Sequence, residues 1–442
     1  MRYLPHTPED IRDMLAVVGA GSIDALFAAV PPSCRKEKPL QLPGPLGEWE
    51  LTRRLEEMAS RGGADWQVFL NAGSQSHYTP TLVSQLAGRS EFVTSYTPYQ
   101  PEMAQGTLQA IFEFQTLISR LTGLPVTNAS MYDGATALAE AALMAMRVTK
   151  RTSVAISSLV HPHWRAVLET YLAPQRDVTL VTLPALPDGR TDLSPLATLE
   201  TPAVLLLQSP NFWGVFEDLP AAADAIHTAG GLLASAFSEP FALGCSKSPG
   251  SLGADIVCGE AQSFGLGQAF GGPGLGIMSC KQEHVRQMPG RLVGQTTDLA
   301  GERAFVLTLS THEQHIRRGK AVSNICSNAG HCALTAAVFM AAAGGTGFRE
   351  LARQNRNLAE YCKAGLASLG FTPLSEAPTF NEFVMRAPAS FRETHERLQR
   401  KKILAGLPLS RWYPDMPDAW LFGVTETKTR ADIDALLQEI QS

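Results

Sequence analysis

Apolar positions recur every three or four residues through most of the first 150 positions, and beyond them short apolar runs alternate with such helical spacing. Thr7-Pro8-Glu9-Asp10 reads as a capped helix start, running to about Gly19, with a second short helix from Ser22 and a charged third one from Glu48 to Arg61. Trp66 to Leu70 predicts a short strand, followed by the loop Asn71-Ala72-Gly73-Ser74-Gln75-Ser76-His77-Tyr78 and a helix from about Thr81. Thr94 to Glu102 is extended, held by Pro98 and Pro101. The stripe Leu108, Ile111, Phe112, Phe114, Leu117, Ile118, Leu121 predicts a helix from Met103 to Leu121 that ends at Gly123. Tyr132 to Thr136 opens an alanine-rich helix to about Arg147.

From there the pattern alternates. Val154–Ser157, Val178–Leu183, Val204–Leu207, Leu232–Ala236, Ile256–Val257 and Leu275–Met278 read as strands, with helical stretches near 162–173, 192–200 and 218–229. Such alternation predicts right-handed βαβ crossovers and a mainly parallel sheet between helix layers. A long helix is expected from about Ala321 to Ala343, broken at Gly344-Gly345. The last hundred residues give helix 350–368, strand Glu382–Met385, helix 391–400, strand Trp420–Val424 and helix 430–440. The organisation expected is an N-terminal helical extension (1–65), a large α/β domain (66–325) and a smaller C-terminal α+β domain (326–442).

The stretch from Gly259 to Gly276 stands apart, with six glycines between positions 265 and 276, flanked by two apolar runs. Glycines so dense between core strands cost chain entropy, so a close approach of backbone to something is expected. The loop fits neither G-x-x-x-x-G-K-[ST] nor the dinucleotide spacing, and a tight inter-strand connection competes with a ligand-facing role. Its turn holds Gln262 and Ser263, and between positions 151 and 280 the only lysine is Lys247.

Composition changes little. The 442 residues are 45% hydrophobic and 18% charged with a net charge of −5, so no basic surface points to nucleic acid. The start lacks the apolar run of a signal peptide and no run of about 18 apolar residues suggests a membrane span, so no membrane partner is expected. Seven scattered cysteines without C-x-x-C fit a cytoplasmic chain with reduced thiols. No metal site is expected: His312-x-x-His315 and His161-Pro162-His163 lack companion ligands. Asp133-Gly134-Ala135-Thr136 offers free N–H groups at a helix start, which suits a phosphate or simply begins a helix. His77, Tyr78, Tyr96 and Tyr99 are polar aromatics in loops that would gather at the crevice of an open α/β sheet, or else are packed or surface rings. Asn211-Phe212-Trp213-Gly214 lines that crevice or fills a turn.

Several stretches together resemble one family. They are Tyr96-Thr97-Pro98-Tyr99-Gln100, Gln105 to Gln115, Asn128 to Ala141, Phe270-Gly271-Gly272-Pro273 and Glu313-Gln314-His315-Ile316-Arg317-Arg318. They look like glycine dehydrogenase (decarboxylating) subunit 1, the amino-terminal-half subunit of the glycine cleavage system P-protein, and the likeness covers nearly the whole chain. The resemblance implies a fold-type-I pyridoxal-phosphate-transferase-like architecture and an α2β2 assembly with a homologous second subunit that carries pyridoxal phosphate on its lysine. It implies decarboxylation of glycine and transfer of the aminomethyl group to the lipoyl group of H-protein, with release of carbon dioxide. Counted back from Gly271-Gly272-Pro273, the lysine's place falls on Gln262, so no covalent cofactor is expected on this chain. Tyr96, Tyr99, His77 and Tyr78 are then the residues expected to contribute to the partner's site. The family usually has tyrosine and aspartate where Gln75 and Ser76 precede His77-Tyr78. The strand after Gly231 ends in Ala236-Phe237-Ser238-Glu239, without the aspartate expected of a pyridinium partner. Two rivals remain: an autonomous pyridoxal enzyme using Lys247 or Lys281, and a structural partner with no residue in any active site.

Overall fold

The computed structural model describes residues 5–36, 40–63, 65–175, 177–309, 314–325 and 328–442. The chain divides into two compact units, Met1–Ala64 and Asp65–Ser442.

The first unit is helical. Helix Pro8–Val18 starts with the capping box predicted at Thr7, whose hydroxyl accepts from the Asp10 N–H while the Asp10 carboxylate accepts from the Thr7 N–H. A short 3₁₀ turn, Asp24–Phe27, stands where a second helix was expected, and helix Glu48–Ser60 follows. None of these elements buries a residue. Val17, Leu42, Trp49 and Met58 all lie exposed.

The second unit is built on a seven-stranded sheet. In spatial order its strands are Val126–Thr127, Gly276–Cys280, Ile256–Glu260, Leu232–Phe237, Pro202–Gln208, Ser153–Ser157 and Thr179–Leu183. The last five run parallel to one another, and Gly276–Cys280 is antiparallel to Ile256–Glu260. Side-chain alternation sorts the strands onto two faces. Ala155, Leu205, Leu207, Leu233, Val257 and Ile277 face a core that includes Phe114, Ile226 and Phe264. Val154, Ile156, Leu206, Ala234, Cys258 and Met278 face helix Gly134–Thr149 and Trp164. Both faces are covered, so the strands read as unbroken apolar runs rather than alternating ones.

Two expectations are corrected, and one element was not foreseen. The stretch near 192–200 is only the 3₁₀ turn Ser194–Thr198. The long helix begins at Gly330, not Ala321; the break expected at Gly344-Gly345 is present, with Gly344 at φ 59°, ψ 176°, and a second helical stretch continues from it to Ser368. Length and composition would let that helix cross a membrane, yet its Cys332, Ala333, Ala336, Phe339 and Met340 sit in the core beside Phe264. The antiparallel hairpin Leu292–Thr297 and Arg303–Thr308 was not anticipated. Its first strand carries only Leu292 and Val293 to announce it, and its turn is set by the Asp298 carboxylate accepting from the Ala300 and Glu302 N–H groups.

A second sheet near the C-terminus orders Thr372–Pro373, Glu382–Arg386, Ala419–Gly423 and Leu407–Pro408, all antiparallel. Helices Phe391–Arg400 and Arg430–Gln441 and the end of the long helix cover it through Cys362, Leu366, Leu398, Ile433 and Leu436. Segment Gln67–Val68 pairs in parallel with Ile403–Leu404, so the chain enters this unit beside the second sheet.

Candidate functional site

The loop after Val68 runs back toward the large sheet and is pinned along its length. The Ala72 N–H donates to Glu382 Oε1 at 2.6 Å, and the Ala72 carbonyl accepts from His161 Nε2 at 2.9 Å. Gly73 has φ +89°, and a Cβ there would stand 2.8 Å from the His161 ring, so only glycine passes this close to the imidazole. The Gln75 N–H donates to Gln262 Oε1 at 3.3 Å. Thr425 Oγ1 donates to the Ser76 carbonyl, and the Tyr78 N–H to Glu426 Oε1.

His77 closes the arrangement. Its Nε2 lies 2.9 Å from Glu239 Oε2 and its Nδ1 2.8 Å from Glu426 Oε2, with both nitrogens buried. Burial alone would lower the imidazole's pKa; the charge and hydrogen bond of Glu239, then those of Glu426, raise it to about 10. The ring is therefore cationic at neutral pH and donates from both nitrogens. Each carboxylate has further donors: Ser263 Oγ and the Phe241 N–H on Glu239, Asn355 Nδ2 on Glu426. Glu239 follows the large sheet and Glu426 the small one, so one imidazolium ties the two layers.

Other groups around the loop are set by burial. It pushes Glu382 up to about 7, against the Ala72 N–H that holds it down. It pushes His161 down to about 4, so that ring is neutral, with Nε2 donating to Ala72 and Nδ1 accepting from the His163 N–H. Phe212 and Trp213 do not line an open crevice; they are buried with Leu159, Trp412 and Tyr413.

Gln262 sits where strand Ile256–Glu260 gives way to the glycine loop. Its N–H donates to Glu260 Oε1 at 2.9 Å and its side-chain nitrogen to the Leu266 carbonyl. Neither lysine of the rival reading stands in this turn. Lys247 is exposed, and Lys281 pairs with Asp255 at the opposite end of the same strand, roughly 15 Å away by a rise of about 3.3 Å per residue.

The expected anion cup at Asp133-Gly134-Ala135-Thr136 forms the start of helix Gly134–Thr149, but the chain fills it itself. Asp133 accepts from the Thr136 N–H at 2.8 Å, and Glu260 Oε2 accepts from the Gly134 N–H at 2.9 Å.

The four aromatic candidates separate. His77 points inward. Tyr78, Tyr96 and Tyr99 are 68%, 78% and 73% exposed. Tyr96 lines a small cavity of about 70 Å³ with Thr97, Pro98, Asn328 and His331, and Tyr99 borders an open groove of about 600 Å³ with Gln100 and Met103. Neither includes His77 or Gln262. His312 and the His315 side chain lie outside the described residues; among those described, no group of three metal-ligating side chains forms. Sequence reasoning missed Glu239, Glu260, Glu382 and Glu426. The available signal was an acid at either end of an apolar strand or just beyond it, where burial demands a partner.

Known proteins place this architecture. A sequence model described as Glycine cleavage system P-protein matches residues 1–440. The chain is 52% identical over 444 residues to a probable glycine dehydrogenase (decarboxylating) subunit 1 of Desulfotalea psychrophila, covering 100% of this chain and 98% of that one. It is 45% identical to the protein of the same description from Thermotoga maritima, covering 99% of each. A crystal structure of glycine decarboxylase (P-protein) of the glycine cleavage system, in inhibitor-bound form, superimposes with a TM-score of 0.89 at 43% identity, over 100% of this chain and 99% of that one. A sphingosine-1-phosphate lyase of Burkholderia pseudomallei, with a TM-score of 0.62 at 14% identity over 93% and 94% of the two chains, shares the fold alone, which is that of fold-type-I pyridoxal-phosphate enzymes. A match that runs end to end at near half identity fixes the assignment: the chain belongs to the glycine cleavage system P-protein family.

Proposed function

We propose that this chain is the subunit of a glycine-decarboxylating P-protein that holds no pyridoxal phosphate itself and completes the site of a second, cofactor-bearing subunit. The complex decarboxylates glycine and passes the aminomethyl group to the lipoyl group of H-protein. The family is pyridoxal-phosphate-dependent, and relatives designated subunit 1 imply a subunit 2.

The observation that carries this reading is Gln262 at the turn between strand Ile256–Glu260 and the glycine loop. An amide nitrogen does not condense with an aldehyde. The surroundings fit the cofactor no better. The Gly134 N–H already serves Glu260, Asp133 and Glu260 would repel a phosphate, and the loop from Ala72 to His77 lies against His161, Gln262 and Glu239. No step is assigned to pyridoxal phosphate within this chain.

Two features support an obligate partner. The N-terminal unit has apolar side chains and no buried residue in its described helices. In the second unit Tyr96, Tyr99, Met103 and Phe270 are all strongly exposed. Obligate interfaces bury more than about 2,000 Å² of largely apolar surface. Tyr96 and Tyr99, on a segment stiffened by Pro98 and Pro101, are the residues proposed to offer hydroxyls to the partner's site, and the exposed Tyr78 is a further candidate. His77 instead holds this chain's own loop. That inward lock favours a second reading, a purely structural partner.

The test is reconstitution. The chain alone should show no absorption band of bound pyridoxal and no borohydride-fixed pyridoxyl group. Glycine–bicarbonate exchange should appear only with the second subunit. A stoichiometric pyridoxyl adduct on Lys247 or Lys281 would sink the proposal.

A further inference from the structure

The carboxyl group of Glu260 occupies the position an anionic ligand would take at the start of helix Gly134–Thr149. Three backbone N–H groups from three segments converge on it. Gly134, at the helix start, donates to Oε2 at 2.9 Å. Gln262, from the turn, and Leu275, at the end of the glycine loop, donate to Oε1 at 2.9 and 2.7 Å. Several backbone donors and a helix dipole aimed at one anionic group make the arrangement that elsewhere holds a phosphate.

The glycines around it are explained by that convergence. A Cβ on Gly134 would stand 2.9 Å from the Glu260 nitrogen and 2.5 Å from the Trp164 ring. A Cβ on Gly274 would meet Glu260 Oε2 at 3.1 Å and Asp133 Cβ at 3.0 Å, and one on Gly276 would meet the Asp133 carbonyl at 2.5 Å. At Gly274 the loop thus approaches a group of its own chain, whereas a Cβ on Gly267, Gly271 or Gly272 would meet nothing within 4 Å. Burial pushes the Glu260 carboxyl above its ordinary pKa; the Leu275 and Gly134 N–H groups oppose this, and the charge of Asp133 adds to it.

We propose that Glu260 is a built-in replacement for a phosphate monoester: it fills the backbone cradle at Gly134 and closes this subunit to phosphorylated ligands independently of the missing lysine. This role rests on the cradle alone and holds whatever the chain does with its partner.

Removing the side chain should turn the cradle into an anion site, and changing its oxygens should not. In Glu260→Ala the three N–H groups lose their acceptor and a space opens. In Glu260→Gln the space stays filled, with an NH₂ group facing the Gly134 N–H. The experiment measures the melting temperature of the full-length chain, wild type and both variants, in millimolar inorganic phosphate against sodium chloride of equal ionic strength. The expected result is no phosphate-specific shift for wild type, a melting point lowered by some degrees in both variants, and saturable recovery by phosphate in Glu260→Ala only. A phosphate-specific shift in wild type, equal recovery in both variants, or recovery in neither would overturn the proposal. If Glu260→Ala does not fold in chloride, refolding in phosphate is the readout: folded chain recovered only with phosphate supports the role, and no recovery refutes it. Neither readout depends on turnover, so a failed glycine assay leaves the outcome intact.

Discussion

His77 Nε2 lies 2.9 Å from Glu239 Oε2, across 162 residues of sequence, and Glu426 takes the other ring nitrogen at 2.8 Å. A cation between two buried carboxylates ties the loop to both sheets. Removing one member leaves charge buried without compensation, which typically costs roughly 3–5 kcal/mol.

The first prediction is a pH dependence. The folded His77 value, about 10, exceeds the ordinary 6.5, so its stabilisation is complete below about 6.5 and is lost as pH rises through about 10. The melting temperature of the wild-type chain should fall between pH 7 and pH 10. In His77→Gln it should start lower, with a flatter slope over that window. Parallel slopes in the two proteins would show that another group carries the effect.

Glu382 gives the opposite experiment. Its folded value, about 7, lies above the ordinary 4.5, so the folded state holds the proton more tightly and loses stability as pH rises from about 4.5 through 7. Glu382→Gln keeps an acceptor for the Ala72 N–H and removes the titration. Urea midpoints of the variant should change less between pH 5 and pH 8 than those of wild type, and at pH 8 should equal or exceed them.

Tyr96 and Tyr99 are tested by phenylalanine, which keeps the ring and removes the hydroxyl. Both rings are largely exposed and phenylalanine keeps each ring in place, so the melting temperature of either variant should stay within a few degrees of wild type, roughly what a change of under 1 kcal/mol produces. If a hydroxyl reaches the partner's reacting group, glycine–bicarbonate exchange by the reconstituted complex should fall roughly 10²–10³-fold. Unchanged exchange in both variants, with assembly lost in the alanine variants, would leave the tyrosines a structural role only.

The N-terminal unit predicts a separation of folding from assembly. Trp49 and Leu55 lie on helix Glu48–Ser60, both exposed. Trp49→Asp and Leu55→Asp should leave the melting temperature of the isolated chain within about 0.5 kcal/mol's worth of shift. Each should weaken co-purification with the second subunit. Retention of the partner by the double variant would place the interface elsewhere.

What the sequence settled by itself was local. The apolar runs Val204–Leu207 and Ile256–Val257 read as strands, and they form the middle of Pro202–Gln208 and the start of Ile256–Glu260, because a strand covered on both faces needs no other pattern. The caps at Thr7 and Asp133 were legible because a helix start is satisfied within three residues. That the turn at Gln262 and Ser263 holds no lysine could be read directly, while it took the family resemblance to say that Gln262 stands at the lysine's place. Tertiary structure decided the rest. Nothing near Glu260 in sequence says that its carboxyl will meet the Gly134 N–H, 126 residues away, and so an open anion cup and a filled one read alike. His77 reads as a loop aromatic free to reach outward until Glu239 and Glu426, from two different sheets, close on it. Buried polar groups must find partners, but the rule gives the need and not the address. The address comes from how the sheets and the loop between them pack.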